Sequence, residues 1–491
     1  GTGTGLIRVR DDSTMSESAN DTSDPYATTI AAIERAHDLA RDYLLGLAAR
    51  PVSRAVSAEA MAVALDEPLP EHGADPAATV AEWFVRAEPG IVASGGPRFF
   101  GFVNGGATPA ALAGDWLASA IDQNAGPWLS SPAAAQTELT VLRWLKELFG
   151  LPPAWVGGLT TGATMANFVG LAAGRQWAGA RLGFDPAADG LGGRAPIPVV
   201  SSTELHASAR KALGMLGLGR TSVRIVPAPG GSVDLAALAA ELAKIDGPVI
   251  VVANAGEVNT GAFDNVAAIA DLCAAHPGGA WLHVDGAFGL FAAASPRCGH
   301  LIRGVERADS VSADAHKWLN VPYDCGFAFV REAESLRAAF TATGAYIAPS
   351  GGWDPLTHVP EMSRRFRALS VWCALKAAGR TGYRVIVERC CSNAAAFAAW
   401  VESTPGLELM APAPLNIVCF RYVGPNLSEE ATDTLTRAAV ATIQADGRAF
   451  VTGTVWQGRA AIRAAFDNWA TTERDVEMLE EAVAEAAPRS T

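Results

Sequence analysis

The chain has 491 residues, 49% of them apolar, and a formal net charge of −13. That length supports a large core and more than one domain, while an acidic balance with no dominant basic face excludes nucleic acid and anionic membrane as expected partners. No run offers the ~18 uninterrupted apolar residues of a membrane span, and seven cysteines scattered without C-x-x-C spacing read as buried free thiols of a reduced, cytoplasmic protein with no metal site.

Residues 1–24 are polar, rich in Gly, Ser, Thr and Asp, and lack the apolar core of a signal peptide; they predict a disordered leader, with Met15 as a candidate natural start. Residues 25–96 predict a helical arm. Ile30, Ile33, Ala36, Ala40, Tyr43 and Leu44 recur at helical spacing through Ala27–Leu47 until Pro51 stops the pattern, and a second helix spans Pro76–Ala87. An amphipathic arm needs a covering surface, and a second copy of the chain is the expected one. Residues 97–345 predict a large α/β domain. Apolar runs at Ile197–Ser201, Val223–Val226, Val249–Ala253, Trp281–Val284, Ser310–Ser312 and Gly326–Val330 read as strands, separated by helical segments at Glu204–Leu216, Leu235–Lys244, Val266–Ala275 and His300–Val305. Several runs lack polar alternation, as strands covered on both faces do. Alternating β and α predicts a mostly parallel sheet, with the last run free to pair antiparallel. Residues 346–491 predict a smaller α+β domain with helices at Ser363–Ala378, Tyr383–Glu402 and Glu473–Ala486 and a strand at Leu415–Tyr422.

The segment Gly158-Leu159-Thr160-Thr161-Gly162-Ala163-Thr164-Met165-Ala166-Asn167 predicts the opening of a helix that runs to about Arg175. Small residues and threonines at a helix start present N–H groups and hydroxyls to an anion, which makes Thr161, Gly162, Ala163 and Thr164 candidate phosphate contacts. Neither the Gly-Lys-Ser/Thr of a P-loop nor a three-glycine dinucleotide fingerprint is present. An ordinary capped helix would look the same, so the segment gains meaning from its company. His206 lies between Val199-Val200-Ser201-Ser202 and the next helix, where an imidazole could stack on a planar ring and pass protons. Asp285 closes the run Trp281–Val284, and Lys317 follows in Ser312-Ala313-Asp314-Ala315-His316-Lys317-Trp318. A lysine amine that loses its proton and bonds an aldehyde, with a carboxylate that keeps a pyridine nitrogen protonated, is what a pyridoxal phosphate site requires. Lys317, Asp285 and His206 are therefore the candidate catalytic residues.

From about Pro97 to Thr472 the chain resembles the group II pyridoxal-phosphate-dependent amino-acid decarboxylases, the family of aromatic amino-acid, glutamate and histidine decarboxylases. The motifs that carry the resemblance are Arg98-Phe99-Phe100-Gly101-Phe102, Ser131-Pro132, Thr161-Gly162-Ala163-Thr164-Met165-Ala166-Asn167, Leu205-His206-Ala207-Ser208, His283-Val284-Asp285-Gly286-Ala287, and the stretch from Asp314 through His316-Lys317-Trp318-Leu319 to Gly326. The resemblance implies a fold-type I α/β architecture: a mostly parallel seven-stranded sheet between helices, a smaller C-terminal domain, and a homodimer with active sites at the interface. It implies Lys317 as the Schiff-base lysine, Asp285 as partner of the pyridine nitrogen, His206 stacked on the ring with Ala287 against the opposite face, Ala163, Thr164 and His316 at the phosphate, and Arg463 at the substrate carboxylate.

Three positions depart from the family pattern. Asp314 stands where Asn is frequent. The stretch Ala348–Glu361 lacks the tyrosine of the family's mobile loop, leaving Trp353 and His358 as its ring residues and candidate substrate contacts. Gly126 stands where aromatic decarboxylases have a phenylalanine against the substrate ring, which argues against an aromatic substrate; with Gly105 and Gly106 it leaves the shape of the pocket undetermined by the sequence. The expected reaction is decarboxylation of an L-amino acid to the amine and CO2, with His206 or a loop residue returning a proton to Cα. Oxidative deamination to an aldehyde and cleavage of a β-hydroxy amino acid are alternatives with the same cofactor, and a cofactor-free binding protein is the alternative of a different class.

Overall fold

The computed structural model describes residues 26–341 and 352–486. The chain divides into two compact units, residues 1–49 with 56–91, and residues 50–55 with 92–491. In the first, helices Ala27–Gly46, Ala58–Leu65 and Pro76–Ala87 pack together, with Tyr43 edge-on to Phe84 at 6.5 Å. Ser57 caps the second helix by accepting from the Ala60 N–H, and Asp75 caps the third from Ala78, with Pro76 at the first helical position, where its missing N–H costs nothing. Leu45, Val63, Leu69 and Val85 are exposed on this unit.

The second unit is built on a seven-stranded sheet: β1 (Val156–Thr160), β2 (Val199–Ser202), β3 (Arg224–Val226), β4 (Val249–Asn254), β5 (Ala280–Asp285), β6 (Ser310–Asp314) and β7 (Gly326–Val330), in the order β1-β7-β6-β5-β4-β2-β3. β6, β5, β4, β2 and β3 run parallel, and β7 pairs antiparallel with both β6 and β1. Every residue of β4 is buried because both faces are covered: Val249, Val251 and Ala253 join one core cluster, Ile250 and Val252 the other. The C-terminal part carries an antiparallel sheet of β8 (Leu407–Leu409), β9 (Ile417–Tyr422), β10 (Thr452–Trp456) and β11 (Arg459–Ala465), ordered β10-β11-β9-β8. No helix among the described residues is long and apolar enough to cross a membrane.

Several expectations change. The segment expected to open a helix at Gly158 is strand β1, and the helix starts at Ala163 and runs to Arg181. Glycine in β1 hides its strand character, yet Gly157 is there because a Cβ would sit 2.1 Å from the Ala328 carbonyl oxygen of β7. Helices Pro109–Ile121 and Pro132–Phe149 escape the periodic reading, the first because alanine blurs its apolar stripe. The two helices expected at 363–378 and 383–402 are one element, Arg367–Ser403, bent at Gly379 with φ 61°. In place of a helix at 300–305 stand two 3₁₀ turns, Gly299–Ile302 and Val305–Arg307, parted by Gly304 at φ 95°.

Candidate active site

Five elements deliver the site at the C-terminal edge of the parallel strands, the place where open α/β sheets bind ligands. β5 ends in Asp285, β6 ends in Asp314 with His316 and Lys317 just beyond, β2 leads to His206, β1 leads to the helix start at Ala163, and β11 supplies Arg463.

Asp285 is buried and fully directed. Asn167 Nδ2 donates to its Oδ2 at 2.8 Å, and the Ala287 N–H donates to Oδ1 at 3.1 Å. Asn167 sits one turn into the helix that starts at Ala163, and its amide is saturated. Nδ2 also reaches Ser208 Oγ at 3.2 Å, while Oδ1 accepts from Ser312 Oγ at 2.5 Å and faces His283 Nε2 at 2.8 Å. His283 closes the chain through Ser310 Oγ at 2.8 Å, and burial pushes its pKa down to about 4, so the imidazole is neutral at neutral pH. This polar ladder lies inside the sheet–helix contact, where each member must be satisfied or cost stability.

His206 is the N-cap of helix Ala207–Met215. Its Nδ1 accepts from the Ser208 N–H at 3.2 Å and faces Ser208 Oγ at 2.7 Å, which leaves the proton on Nε2. Burial lowers its pKa, and Asp285, Lys317, Arg463 and Asp314 all act on it electrostatically, so these five groups share one neighbourhood.

Lys317 Nζ lies 2.9 Å from Asp314 Oδ2 and 6.0 Å from the centroid of the Phe288 ring. Asp314 Oδ1 accepts from the Ala163 N–H at 2.5 Å and stands 3.3 Å from His316 Nε2. His316 accepts at Nδ1 from the Cys325 N–H at 3.3 Å and stacks on Tyr323 at 4.2 Å. A Cβ on Gly162 would meet His316 Cε1 at 3.0 Å and Asp314 Oδ1 at 3.2 Å, so any other residue would fill the cradle. Thr161 and Thr164 flank it, half-buried. The donor set of Ala163 and His316, already holding a carboxylate, fits an anionic group. With Asp285, His206, Ala287 and Lys317 around it, the cradle fits pyridoxal phosphate.

Arg463 is buried on β11 and donates from Nη1 to the Val258 carbonyl at 2.6 Å. Trp353 and His358 pair with each other, Nε1 to Nε2 at 3.4 Å, and His358 also meets Thr357 Oγ1 at 2.9 Å. Their contacts among the described residues do not reach Lys317, Asp285 or His206 of the same chain. Burial holds His358 down to about 4. Residues 348–351 of the expected loop lie outside the described residues.

Backbone lies close to the small residues. A Cβ at Gly105 would fall 1.9 Å from the Lys317 carbonyl oxygen, and one at Gly126 would fall 2.1 Å from that of Met362. Gly106 donates its N–H to Asn320 Oδ1 at 2.9 Å. Close backbone approach accounts for these glycines.

Asn167, Asn320 and Asp467 are absent from the sequence-derived set. Asn320, at φ 55°, stitches the lysine loop to the C-terminal segment by donating to the Asp467 carbonyl at 3.0 Å and accepting the Trp469 N–H at 2.9 Å. Asp467 is fully buried, and its Oδ2 has no hydrogen-bond partner among the described residues. Burial raises its pKa to about 7, while the nearby charges of Lys317 and Arg463 oppose that rise. An acid just past a core strand was the available signal.

A family model described as the pyridoxal-dependent decarboxylase conserved domain matches residues 60–423. The aromatic-L-amino-acid decarboxylase of Bacillus atrophaeus is 31% identical over 458 residues, covering 90% of this chain and 92% of the relative. The L-2,4-diaminobutyrate decarboxylase of Rhizobium meliloti is 32% identical over 437 residues, with coverage of 86% and 84%. A crystal structure of Oryza sativa TDC with PLP and tryptamine matches with a TM-score of 0.87 at 26% identity, over 95% of this chain and 99% of that one.

Proposed function

Because the chain belongs to the pyridoxal-dependent decarboxylase family and is a pyridoxal-phosphate-dependent amino-acid decarboxylase, we propose that Lys317, Asp285 and His206 are its catalytic residues and that it converts an L-amino acid to its amine and CO2. The observation that carries the assignment is the convergence of Lys317 Nζ, the Asp285 carboxylate and the His206 ring on one buried neighbourhood beside the Ala163 helix start.

When bound, the cofactor supplies an electron sink for the pair left behind as the Cα–carboxylate bond breaks. Thr161, Gly162, Ala163, Thr164 and His316 would hold its phosphate, Lys317 its aldehyde carbon, and Asp285 its ring nitrogen, with His206 and Ala287 on either face. The protein's own work is orientation and proton placement. Asn167 and the Ala287 N–H fix the direction of the Asp285 carboxylate, so no reorganisation is needed when charge develops beside it. His206 is assigned to return the proton to Cα from Nε2 when its ring is doubly protonated, with the Nδ1–H then donating to Ser208 Oγ, so that loss of the Nε2 proton leaves a neutral imidazole. Arg463, a buried cation in the same neighbourhood, is assigned to the substrate carboxylate, which it reaches by exchanging its bond to Val258.

A second copy of the chain is proposed as the partner, supported by the exposed Leu45, Val63, Leu69 and Val85 of the helical unit; mass measurement in solution tests it. The function is tested by incubating the holoenzyme with each L-amino acid and measuring CO2 and amine together. Aldehyde with ammonia, or glycine with aldehyde, would replace the proposed outcome. Borohydride reduction and peptide mapping test the residue assignment: the cofactor should be fixed to Lys317.

A further inference from the structure

Asp314 holds two donors of the helix-start cradle, the Ala163 N–H and His316 Nε2, together with the Lys317 ammonium. Its Oδ1 accepts from the Ala163 N–H at 2.5 Å and lies 3.3 Å from His316 Nε2; its Oδ2 lies 2.9 Å from Lys317 Nζ. The His316 tautomer is set for this, because Nδ1 receives the Cys325 N–H and leaves Nε2 to donate. The carboxylate cannot drift far. It is buried, its backbone N–H is bonded to the Ala287 carbonyl at 2.9 Å, and it ends a strand paired with β7, Asp314 opposite Gly326.

A phosphate entering this cradle needs the same N–H groups. Two anions a few ångströms apart repel each other and cannot share those donors without one weakening the hold on the other. The Lys317 ammonium is held by the same carboxylate, and that pair must part before the amine can act as a nucleophile. We infer that Asp314 is the residue that sets cofactor affinity in this enzyme: its carboxylate competes with the cofactor's phosphate for the Ala163 and His316 donors. This rests on the assignment of the cofactor to Lys317 and goes beyond it, since an acid here weakens what the rest of the site is built to hold.

The test compares the full-length chain with Asp314→Asn, which keeps the size and an acceptor oxygen but loses the charge. Each is reconstituted with pyridoxal phosphate and, separately, with pyridoxal, which has no phosphate, and binding is followed by the cofactor's absorption. Asp314→Asn should bind pyridoxal phosphate about tenfold or more tightly than the parent, with no such gain for pyridoxal. Equal or weaker binding of pyridoxal phosphate would overturn the inference, and so would an equal gain for both compounds, which would place the effect at the lysine rather than the phosphate. If Asp314→Asn does not give the parent's circular dichroism spectrum, Asp314→Ser serves the same comparison. Attachment of the cofactor to a residue other than Lys317 in both proteins would sink the site assignment itself, and this inference with it.

Discussion

Two buried ionic clusters in the large unit are built on opposite principles. Around Arg364 and Glu138, both almost wholly buried, one acid and one base are paired twice over: Nη1 to Oε2 at 3.0 Å and Nη2 to Oε1 at 2.9 Å, with further bonds to the Ala125 and Leu159 carbonyls and from the Leu159 N–H, and with the Arg364 Nε left without a partner among the described residues. Around Lys317, the charges are more exposed, one carboxylate serves three donors, and the nearby Asp467 has an oxygen without a partner among the described residues. In the first cluster both carboxylate oxygens and both terminal guanidinium nitrogens are committed to each other, and the pair pins β1 to the segment ahead of helix Arg367–Ser403. The second has exchangeable partners and is tuned by groups around it. Mutual pairing of one acid with one base distinguishes the structural ion pair from the cluster proposed to be functional, where one carboxylate is shared among three donors.

Breaking the functional cluster at its centre should have the largest effect. Lys317→Ala should lose measurable turnover while retaining the fold by circular dichroism, and borohydride should no longer attach cofactor to the chain; near-normal turnover would place the covalent handle elsewhere. Asp285→Asn removes the charge and keeps the size, while its NH2 meets one of the two donors that Asp285 accepts from, and a fall of about 10²–10³-fold in kcat with cofactor still bound is expected, the scale of losing one preorganised electrostatic partner. An unchanged kcat would mean that another group serves the ring nitrogen.

The structural cluster answers to a different measurement. Arg364→Met strands the Glu138 carboxylate without its partner and should cost about 3–5 kcal/mol in denaturant unfolding. Adding Glu138→Leu to it should recover much of that loss, because a well-packed apolar pair replaces a buried ion pair at little net cost. If the single variant unfolds at the parent's denaturant concentration, the contrast between the two clusters fails.

Much of this was legible in the sequence, for reasons of chemical rarity. A lysine, an acid and a histidine at the ends of apolar runs are few, and the structure brings all three together. β4 and β5 were readable because strands covered on both faces lose polar alternation: β4 is apolar up to Asn254, and in β5 His283 and Asp285 alone interrupt the apolar run. The supporting residues were not. Asn167 and Asn320 are ordinary amides whose importance comes from four hydrogen bonds each, which only the fold assembles. β10 and β11 were missed because their alternation is weak: Thr452-Gly453-Thr454 has little apolar character, and Ala460 and Ala461 are both buried although adjacent.

Proton uptake offers a finer probe of the functional region. His283 is buried neutral with its pKa lowered to about 4 by desolvation, against ~6.5 when unfolded. The unfolded chain therefore gains a proton that the fold refuses, so stability is complete above pH ~6.5 and declines as the pH falls toward 4, by up to about 3 kcal/mol. His358, also lowered to about 4, adds a decline of the same sign in the same window. Asp467 opposes them: with its pKa raised to about 7, the fold keeps a proton the unfolded chain releases, so its contribution is lost as pH rises from ~4 toward 7. Denaturant titrations across pH 4 to 7 should then show Asp467→Asn with a steeper gain in stability as pH rises than the parent. A flatter curve would mean that the Asp467 carboxyl is not held protonated by burial.

The smallest effect concerns the glycines. If Gly126 left room for a substrate ring, Gly126→Ala would be tolerated and would chiefly alter KM. The structure gives another outcome: a methyl group there would lie 2.1 Å from the Met362 carbonyl oxygen, a backbone atom fixed by the neighbouring bonds of Arg364 to Asn124 and Ala125. The two segments must move apart, and overpacking of this kind costs about 1–3 kcal/mol. The variant should unfold at lower denaturant, with KM for the best amino acid changing less than twofold, about the limit of what a small relayed shift produces. A large change in KM at unchanged stability would restore position 126 to the substrate pocket and remove it from the framework that the Arg364 cluster holds.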